Sequence, residues 1–220
     1  MTVKLTLGIY GLENFYGGDI RAVIDLVQQA ESLGYDQINI TDHVVMSNKT
    51  DKYPYGKFPT SPDYNWWEPM VILSAMAAAT TTIRLGTGIL IGPLRSAVLL
   101  AKQTATLDAL SGGRLDLGLG TGWQREEYEA SGISFKGRAQ RLRDQVAACK
   151  VLWRDAPAKF RSETVSFENI YCRPAPVQKD GVPLWFGLAP TAINRQLIAS
   201  QGVGWLPIFN KPEQLRESIE

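Results

Sequence analysis

The residues of this chain best suited to chemistry lie in a glycine-rich segment that follows a short apolar run. The run, Leu115–Leu119, is long enough for a buried strand and too short for a helix. Gly118, Gly120 and Gly122 then remove side chains where the strand ends, which lets a flat or phosphorylated ligand approach the backbone. We therefore predict that Gly120, Thr121 and Gly122 form a ligand-binding loop in an enzyme.

His43 is the single histidine of the chain and the candidate for moving a proton. It follows Thr41 and Asp42 at the end of the second predicted strand. Near neutral pH an imidazole both donates and accepts protons. An arbitrary histidine is more often hydrogen-bonded to neighbouring backbone, so the position at a strand end is what favours catalysis. One histidine with two distant cysteines, Cys149 and Cys172, argues against a zinc site.

The glycine-rich segment has two interpretations. Residues 115–122, Leu-Asp-Leu-Gly-Leu-Gly-Thr-Gly, are similar to the first motif of Rossmann-like methyltransferases. Such a unit continues into a helix and then a strand that ends in an acid about 20 residues later. Here a polar stretch containing Glu126, Glu127 and Glu129 follows, and then a predicted helix over 138–153. Only half of that motif is present, which favours the second interpretation, a parallel barrel.

Composition excludes several classes of protein. The chain has 220 residues and a formal net charge of +1, and its acidic and basic residues are scattered along the sequence. No cluster of basic residues therefore indicates binding to nucleic acid or to an anionic membrane. No apolar stretch approaches the roughly 20 residues of a membrane span, and the first residues lack the apolar block of a signal peptide. Two cysteines are too few for a disulfide framework and are typical of a reducing compartment. We expect a cytoplasmic protein with one domain over 1–220 that acts on a small molecule.

Predicted strands and helices alternate along the chain. The strands cover 3–10, 37–41, 83–91, 115–119, 184–187 and 203–208, with a short β excursion over 160–178. The helices cover 19–34, 68–79, 96–110, 138–153 and 191–201. An alternation of this kind implies parallel strands joined by crossover helices.

Glycines and polar residues recur at the carboxyl ends of several different strands, which is typical of a barrel, because an open sheet concentrates its site at one switch point. We therefore predict an α/β fold, a parallel (β/α)8 TIM-type barrel. A closed barrel needs eight units and roughly 250 residues, whereas about six βα units are visible here. We expect an incomplete barrel that lacks the last units and covers its exposed strand edges by forming a homodimer or by closing as a smaller barrel.

Several longer motifs resemble those of the luciferase-like family of flavin and deazaflavin oxidoreductases, particularly its branch that uses coenzyme F420. The resemblance spans nearly the whole chain in the correct order. Its segments are Thr41-Asp-His-Val-Val45, Trp67-Glu-Pro-Met-Val-Ile-Leu-Ser-Ala-Met-Ala-Ala-Ala79, Ile83-Arg-Leu-Gly-Thr-Gly88, Ala101-Lys-Gln-Thr-Ala-Thr-Leu-Asp-Ala-Leu-Ser-Gly-Gly-Arg114, Gly120-Thr-Gly-Trp123, Pro174-Ala-Pro-Val-Gln178 and Gly204-Trp-Leu-Pro207.

The resemblance implies that the ring of the cofactor binds at the carboxyl rim of the barrel. It implies a non-proline cis peptide between Gly88 and Ile89 that bulges against the ring. Gly187 would take the ribityl and phosphate part, and Leu188 adds a side chain where relatives usually carry a second glycine. The remaining cofactor-binding residues that it implies are Thr41, Asp42, Gly120, Thr121 and Gly122.

The function implied is hydride transfer between coenzyme F420 and a small organic substrate, with His43 handling a proton. Two alternatives stay open, a monooxygenase that uses reduced FMN and oxygen, and a non-catalytic flavin-binding protein. The sugar-phosphate dehydrogenases of the family carry a glutamate in place of Trp123, so we expect a more apolar pocket, lined by Trp123 and Trp66. For Glu126 and Glu127 we expect that one forms a structural salt bridge. The identity of the substrate does not follow from these residues.

Overall fold

A parallel β-sheet forms the centre of the molecule, in a computed structural model that describes residues 4–9, 19–208, 213, 215 and 216. The strands in chain order are β1 (Thr6–Ile9), β2 (Gln37–Ile40), β3 (Arg84–Thr87), β4 (Leu90–Ile91), β5 (Leu115–Gly120), β6 (Ala158–Arg161), β7 (Ser166–Ile170), β8 (Leu184–Phe186) and β9 (Gly204–Trp205). The sheet has the order β1-β2-β3-β5-β8-β9, with β4 also paired to β5, while β6 and β7 form a separate antiparallel hairpin. The predicted parallel α/β architecture with about six units is therefore confirmed, while the homodimer stays a prediction.

Helices connect the parallel strands. They are α1 (Val23–Ser32), α2 (Pro69–Ala79), α3 (Ala97–Leu110), α4 (Arg125–Ala130), α5 (Arg138–Arg154) and α6 (Ala192–Gln201), with 3-10 turns over Ile20–Ala22 and Gly92–Leu94. Glu68, Ser96 and Thr191 each accept a hydrogen bond from a backbone N–H in the first turn of the helix that follows, which satisfies a donor that the helix itself leaves open. In the described part of the chain, no helix has both the length and the apolar character needed to cross a bilayer.

The two faces of the sheet differ in chemistry because successive side chains of a strand alternate. Leu115, Leu117 and Leu119 of β5 belong to the hydrophobic core and are at most 1% exposed. The intervening positions carry small or polar residues, and one register row consists of Gly8, Asn39, Gly86 and Asp116. One face of the sheet is therefore packed with aliphatic side chains, and the other is glycine-rich and polar.

Two predicted strands are shorter than the sequence pattern suggests. The third is divided into β3 and β4 at Gly88 and Ile89, whose peptide bond is cis. The sixth contains only Gly204 and Trp205, and Pro207 lacks the N–H that would continue the ladder. Helix α4 was not predicted, because its six residues are too few to establish a hydrophobic period.

Two side chains at the amino end of the sheet hold the connection between α2 and β3. The Arg114 guanidinium donates to the carbonyl oxygens of Ala77, Thr80 and Ile83 at 2.9 Å. A single Glu31 oxygen, Oε1, accepts backbone N–H bonds from Thr81, Thr82 and Ile83 at 2.6–3.0 Å. These contacts satisfy backbone groups at the end of α2 and the start of β3 that have no helix or strand partner.

The pKa of Glu31 provides a test of that connection. Desolvation raises the pKa, but the hydrogen bonds from the backbone of residues 81–83 outweigh it and lower the pKa from 4.5 to about 2. The contribution of Glu31 is therefore complete above about pH 4.5 and is lost as the pH falls towards 2. We expect Glu31→Gln to lower the free energy of unfolding at pH 7 by about 1–2 kcal/mol, with the difference from wild type disappearing near pH 2. Urea denaturation across this range measures it, with the exposed Glu163→Gln as control, and a difference independent of pH would contradict the assignment.

Candidate active site

A buried histidine and a buried glutamate meet at the carboxyl end of β2. His43 Nδ1 lies 3.1 Å from Glu127 Oε2, and the side chains are 9% and 0% exposed. The other oxygen of Glu127 accepts the Val44 N–H at 2.7 Å. Because a carboxylate only accepts hydrogen bonds, the His43 proton belongs on Nδ1, which leaves Nε2 as the acceptor of the ring. His43 is therefore oriented for exchanging a proton through Nε2.

The segment around α4 holds the loop that carries His43. The amide oxygen of Gln124 accepts from Ser47 N at 2.8 Å, and its Nε2 donates to Ser47 O at 3.1 Å. Glu126 forms an ion pair of 3.0 Å with Lys49. Of the two neighbouring acids, Glu126 makes the more exposed salt bridge, while Glu127 faces the histidine. The region that follows the glycine-rich loop thus positions residues 43–49.

Aromatic side chains surround His43. We define the aromatic cluster as Tyr53, Phe58, Trp66 and Trp123. The His43 ring centroid lies 4.7 Å from that of Trp66, 5.9 Å from Phe58 and 6.2 Å from Trp123, all edge-to-face. Phe58 is buried and lies 5.3 Å from Trp123, and Tyr53 lies 5.0 Å from Phe58. The loop after β2 and the loop after β5 thereby enclose the imidazole in apolar rings.

Asp42, next to the histidine, has an entirely protein-bound carboxylate. Oδ2 accepts from Ile91 N and Arg95 Nη1, both at 2.8 Å, and Oδ1 accepts from Arg95 Nη2 at 3.1 Å. Arg95 Nη2 also donates to Glu68 at 2.8 Å. Burial lowers the pKa of Arg95, but these hydrogen bonds raise it above its usual value. Both carboxylate oxygens of Asp42 thus have protein donors and hold the end of β2 in place, and the predicted contact of Asp42 with a cofactor stays a prediction.

The rim glycines make room for isoleucines. The Gly88–Ile89 peptide is cis, as the resemblance implied. A Cβ at Gly120 would lie 2.7 Å from Ile89 Cδ1, and a Cβ at Gly187 would lie 2.6 Å from Ile89 Cγ2. Gly122, with a φ of +62°, would place a Cβ 2.9 Å from Ile91. Isoleucine side chains therefore occupy part of the space beside these glycines, and the approach of a ligand to their backbone stays a prediction.

The other predicted site residues lie at the same edge of the sheet. The Tyr128 hydroxyl, buried beneath the glycine-rich loop, donates to Thr121 O at 2.5 Å. The Leu188 side chain packs against the hydrophobic core, and its carbonyl accepts from Trp205 Nε1 at 2.8 Å. Thr41 is half-buried directly after β2. The Leu188 side chain is thus directed towards the core.

The sequence interpretation missed two parts of the site. Glu127 was not assigned to His43, because a polar stretch gives no sign of which acid becomes buried. Tyr128 was not considered at all. One signal was available in the sequence. The chain contains one histidine, so any acid at the rim that pairs with a histidine has to pair with His43. The structure brings together His43, Trp66 and Trp123 as one group, and Ile89, Gly120 and Gly187 as another.

The comparisons with known proteins identify relatives over most of the chain. A family profile described as luciferase-like monooxygenase matches residues 7–220. An uncharacterised protein of Mycobacterium tuberculosis is 33% identical over 181 residues, which are 80% of this chain and 64% of the relative. This chain therefore spans about two thirds of the length of that relative.

Two relatives with assigned activities differ in cofactor. An F420-dependent glucose-6-phosphate dehydrogenase of Kineococcus radiotolerans is 33% identical over 68% of this chain and 42% of its own. The oxygenase component of a flavin-dependent trigonelline monooxygenase of Acinetobacter baylyi is 30% identical over 74% of this chain and 41% of its own. The crystal structure of a monooxygenase from Streptomyces bottropensis is similar with a TM-score of 0.81 at 24% identity, over 99% of this chain and 64% of that one. The structural similarity supports the fold.

The packing of Ile89 yields a prediction about the rim glycines. Gly120→Ala forces a methyl group into Ile89 and should cost about 1–3 kcal/mol of stability. Because the clash is with one side chain, the double variant Gly120→Ala/Ile89→Ala should lose less than the sum of the single losses. Urea denaturation of the four proteins measures the coupling. Gly8→Ala is the control, since no atom lies within 4 Å of the added Cβ. Strictly additive losses would mean that Ile89 does not occupy the space.

The single histidine allows a direct test of the Glu127 contact. We expect neutral His43 to carry its proton on Nδ1, as measured by the two ring ¹⁵N shifts in a long-range ¹H–¹⁵N spectrum. Glu127→Gln offers one acceptor oxygen to two donors, so the tautomer preference should weaken and stability should fall by about 1–3 kcal/mol. Glu126→Gln, in the exposed ion pair with Lys49, should change neither by much, within about 0.5 kcal/mol. A proton on Nε2 in the wild-type protein would refute the proposed orientation.

Proposed function

Because this chain belongs to the luciferase-like monooxygenase family, we propose that it is an oxidoreductase that uses coenzyme F420. It would transfer a hydride between the deazaflavin ring and a small, apolar organic substrate at the carboxyl edge of the sheet. The observation that carries the proposal is the buried His43–Glu127 pair, with a contact of 3.1 Å enclosed by aromatic rings. Such a pair provides one oriented proton-handling group in a site with little water.

The residues at the rim fit a flat tricyclic ring. Ile89 lies between Gly120 and Gly187, neither of which has a side chain to shield it. The charged groups that border the rim, Asp42 and Glu127, are buried and hydrogen-bonded within the protein. The cofactor would rest on Ile89 and the backbone of Gly88, Gly120, Thr121 and Gly122, with Gly187 and Leu188 towards its ribityl phosphate.

The residues of the chain would contribute three effects to the reaction. Coenzyme F420, when bound, supplies a carbon that accepts or delivers a hydride. His43 Nε2 would accept the proton released from the substrate, or return it in the reverse direction. Glu127 holds His43 in that orientation through Nδ1. The aromatic cluster would exclude water from the imidazole and give the substrate an apolar surface.

A monooxygenase that uses reduced FMN is the second candidate. The identity of 30% with the flavin-dependent oxygenase component of Acinetobacter baylyi favours it. The identity of 33% with the F420-dependent dehydrogenase of Kineococcus radiotolerans, together with the histidine–carboxylate pair, favours the deazaflavin. An oxidation that transfers a hydride also releases a proton, for which the site has a dedicated acceptor.

Titration of the protein with coenzyme F420 and with FMN, followed by their fluorescence, tests the proposal. We expect F420 to bind more tightly. Ile89→Asp, which places a negative charge beneath the ring, should weaken binding by at least roughly tenfold. Val98→Asp, on an exposed part of α3, is the matched control and should leave the affinity unchanged. Tighter FMN binding would favour the monooxygenase, and binding without any hydride transfer would favour the non-catalytic flavin-binding alternative. Failure of both to bind would refute the cofactor assignment.

A further inference from the structure

One short segment, residues 121–128, contacts both of the loops that form the proposed site. On one side, the buried Tyr128 hydroxyl donates to the carbonyl oxygen of Thr121 in the glycine-rich loop at 2.5 Å. On the other side, Gln124 binds the backbone of residues 47–49 through hydrogen bonds of 2.8–3.3 Å. We call residues 121–128 the bridge segment. A shift of the bridge segment changes the surroundings of both loops at once.

The Gln124 side chain serves the neighbouring loop and not its own helix. Gln124 is the N-cap residue of α4, yet its side chain accepts no hydrogen bond from the first turn of that helix. The side chain is turned instead to the Ser47 N–H and to the carbonyl oxygens of Ser47 and Lys49, and the residue is 1% exposed. N-cap side chains usually accept from their own helix. The amide of Gln124 therefore acts as a buried clamp between two loops.

The loop that Gln124 clamps lacks regular secondary structure. Residues 41–68 contain neither helix nor strand, and irregular segments of this length in compact domains are usually functional. The loop supplies three of the four members of the aromatic cluster. Two of them, Tyr53 and Phe58, lie with their ring centroids 5.3 Å from that of Trp123, which belongs to the bridge segment. The bridge segment thus holds this loop by ring contacts as well as by the Gln124 amide.

We propose that Gln124 is a positioning residue that couples the glycine-rich loop to the loop over residues 44–66. That loop exchanges between the docked state of the structure and a released state in which its contacts with the bridge segment are broken. A ligand that fixes Thr121 also fixes the bridge segment, through Tyr128, and so favours the docked state. By linkage, docking of the loop raises the affinity for that ligand by the same factor.

The coupling rests on the proposed function, in which coenzyme F420 contacts the glycine-rich loop and the substrate contacts the aromatic cluster. It adds a regulation of that site. Each ligand prepares the binding surface of the other, although the two surfaces belong to different loops.

Amide hydrogen exchange of the full chain, measured by mass spectrometry, tests the coupling without a ligand. Gln124→Leu has a similar volume and removes the clamp, so exchange in residues 44–66 should become at least roughly threefold faster. Tyr128→Phe removes a hydrogen bond within the other loop, and the coupling requires that it also accelerates exchange in residues 44–66.

Two controls separate coupling from a general loss of stability. Gln28→Leu removes a side-chain bond to the carbonyl oxygen of Ala79, between α1 and α2, and should leave exchange in residues 44–66 unchanged. Exchange in β3, residues 84–87, should stay the same in all variants, because release of the loop leaves the sheet intact.

The affinity for coenzyme F420, measured by fluorescence titration, provides the second test. Gln124→Leu should weaken binding roughly three- to tenfold, although its side chain is directed to the other loop, and Gln28→Leu should not change it. Phe58→Ala releases the same loop from Trp123. In that background Gln124→Leu should therefore weaken binding by less than about twofold more.

Three results would overturn the inference. These are unchanged exchange of residues 44–66 in Tyr128→Phe, faster exchange in Gln124→Leu that extends equally to β3, and fully additive losses of F420 affinity in the double variant. Its failure is separable from that of the proposed function. If F420 does not bind, the cofactor assignment fails, and the exchange measurements still decide whether the loops are coupled. If F420 binds equally well to the wild-type protein and to Gln124→Leu, only the coupling is refuted.

Discussion

The buried ion pair between Asp42 and Arg95 is the contact on which the arrangement of the rim depends. Its side chains are 0% and 8% exposed. It joins the end of β2 to the end of β4 through the Ile91 N–H, and to the start of α2 through Glu68. Removing one partner of such a pair leaves a buried charge uncompensated, which typically costs about 3–5 kcal/mol. Asp42 immediately precedes His43, so the ion pair also fixes the position of the backbone from which the His43 side chain extends.

A second constraint is the close approach of neighbouring strands at the same edge. A Cβ at Gly118 would lie 2.0 Å from the backbone oxygen of Thr87, which cannot give way, and a Cβ at Gly120 would lie 2.7 Å from Ile89, whose side chain would have to shift. These glycines allow the Ile89 side chain to pack against the carboxyl ends of the paired strands β5 and β8. The residues that form this aliphatic surface are also those that we propose for contact with the planar ring of the cofactor.

The sequence predicted the architecture well because its signals are local. Apolar runs of strand length and capped helices alternate, and glycines follow the strands. Such patterns establish a parallel sheet and its carboxyl edge without knowledge of long-range contacts. The division of the third strand and the presence of α4 were not predictable in this way. The division falls at the Gly88–Ile89 peptide within an otherwise strand-like run, and α4 depends on burial of Glu127 and Tyr128 within a polar stretch.

By itself, the sequence determined the fold class, the position of His43 after a strand, and the aromatic and glycine-rich loops that meet there. Only the tertiary structure decided which side chains pair with one another. Hydrogen bonds and ring contacts between residues that lie 77–84 positions apart depend on how two loops are packed together. In the folded chain, Asp42 pairs with Arg95, Glu127 pairs with His43, and the Ile89 side chain occupies the space beside Gly120. The residue type determines what chemistry a side chain can perform, whereas the three-dimensional arrangement of the chain determines which partner a buried charged group has.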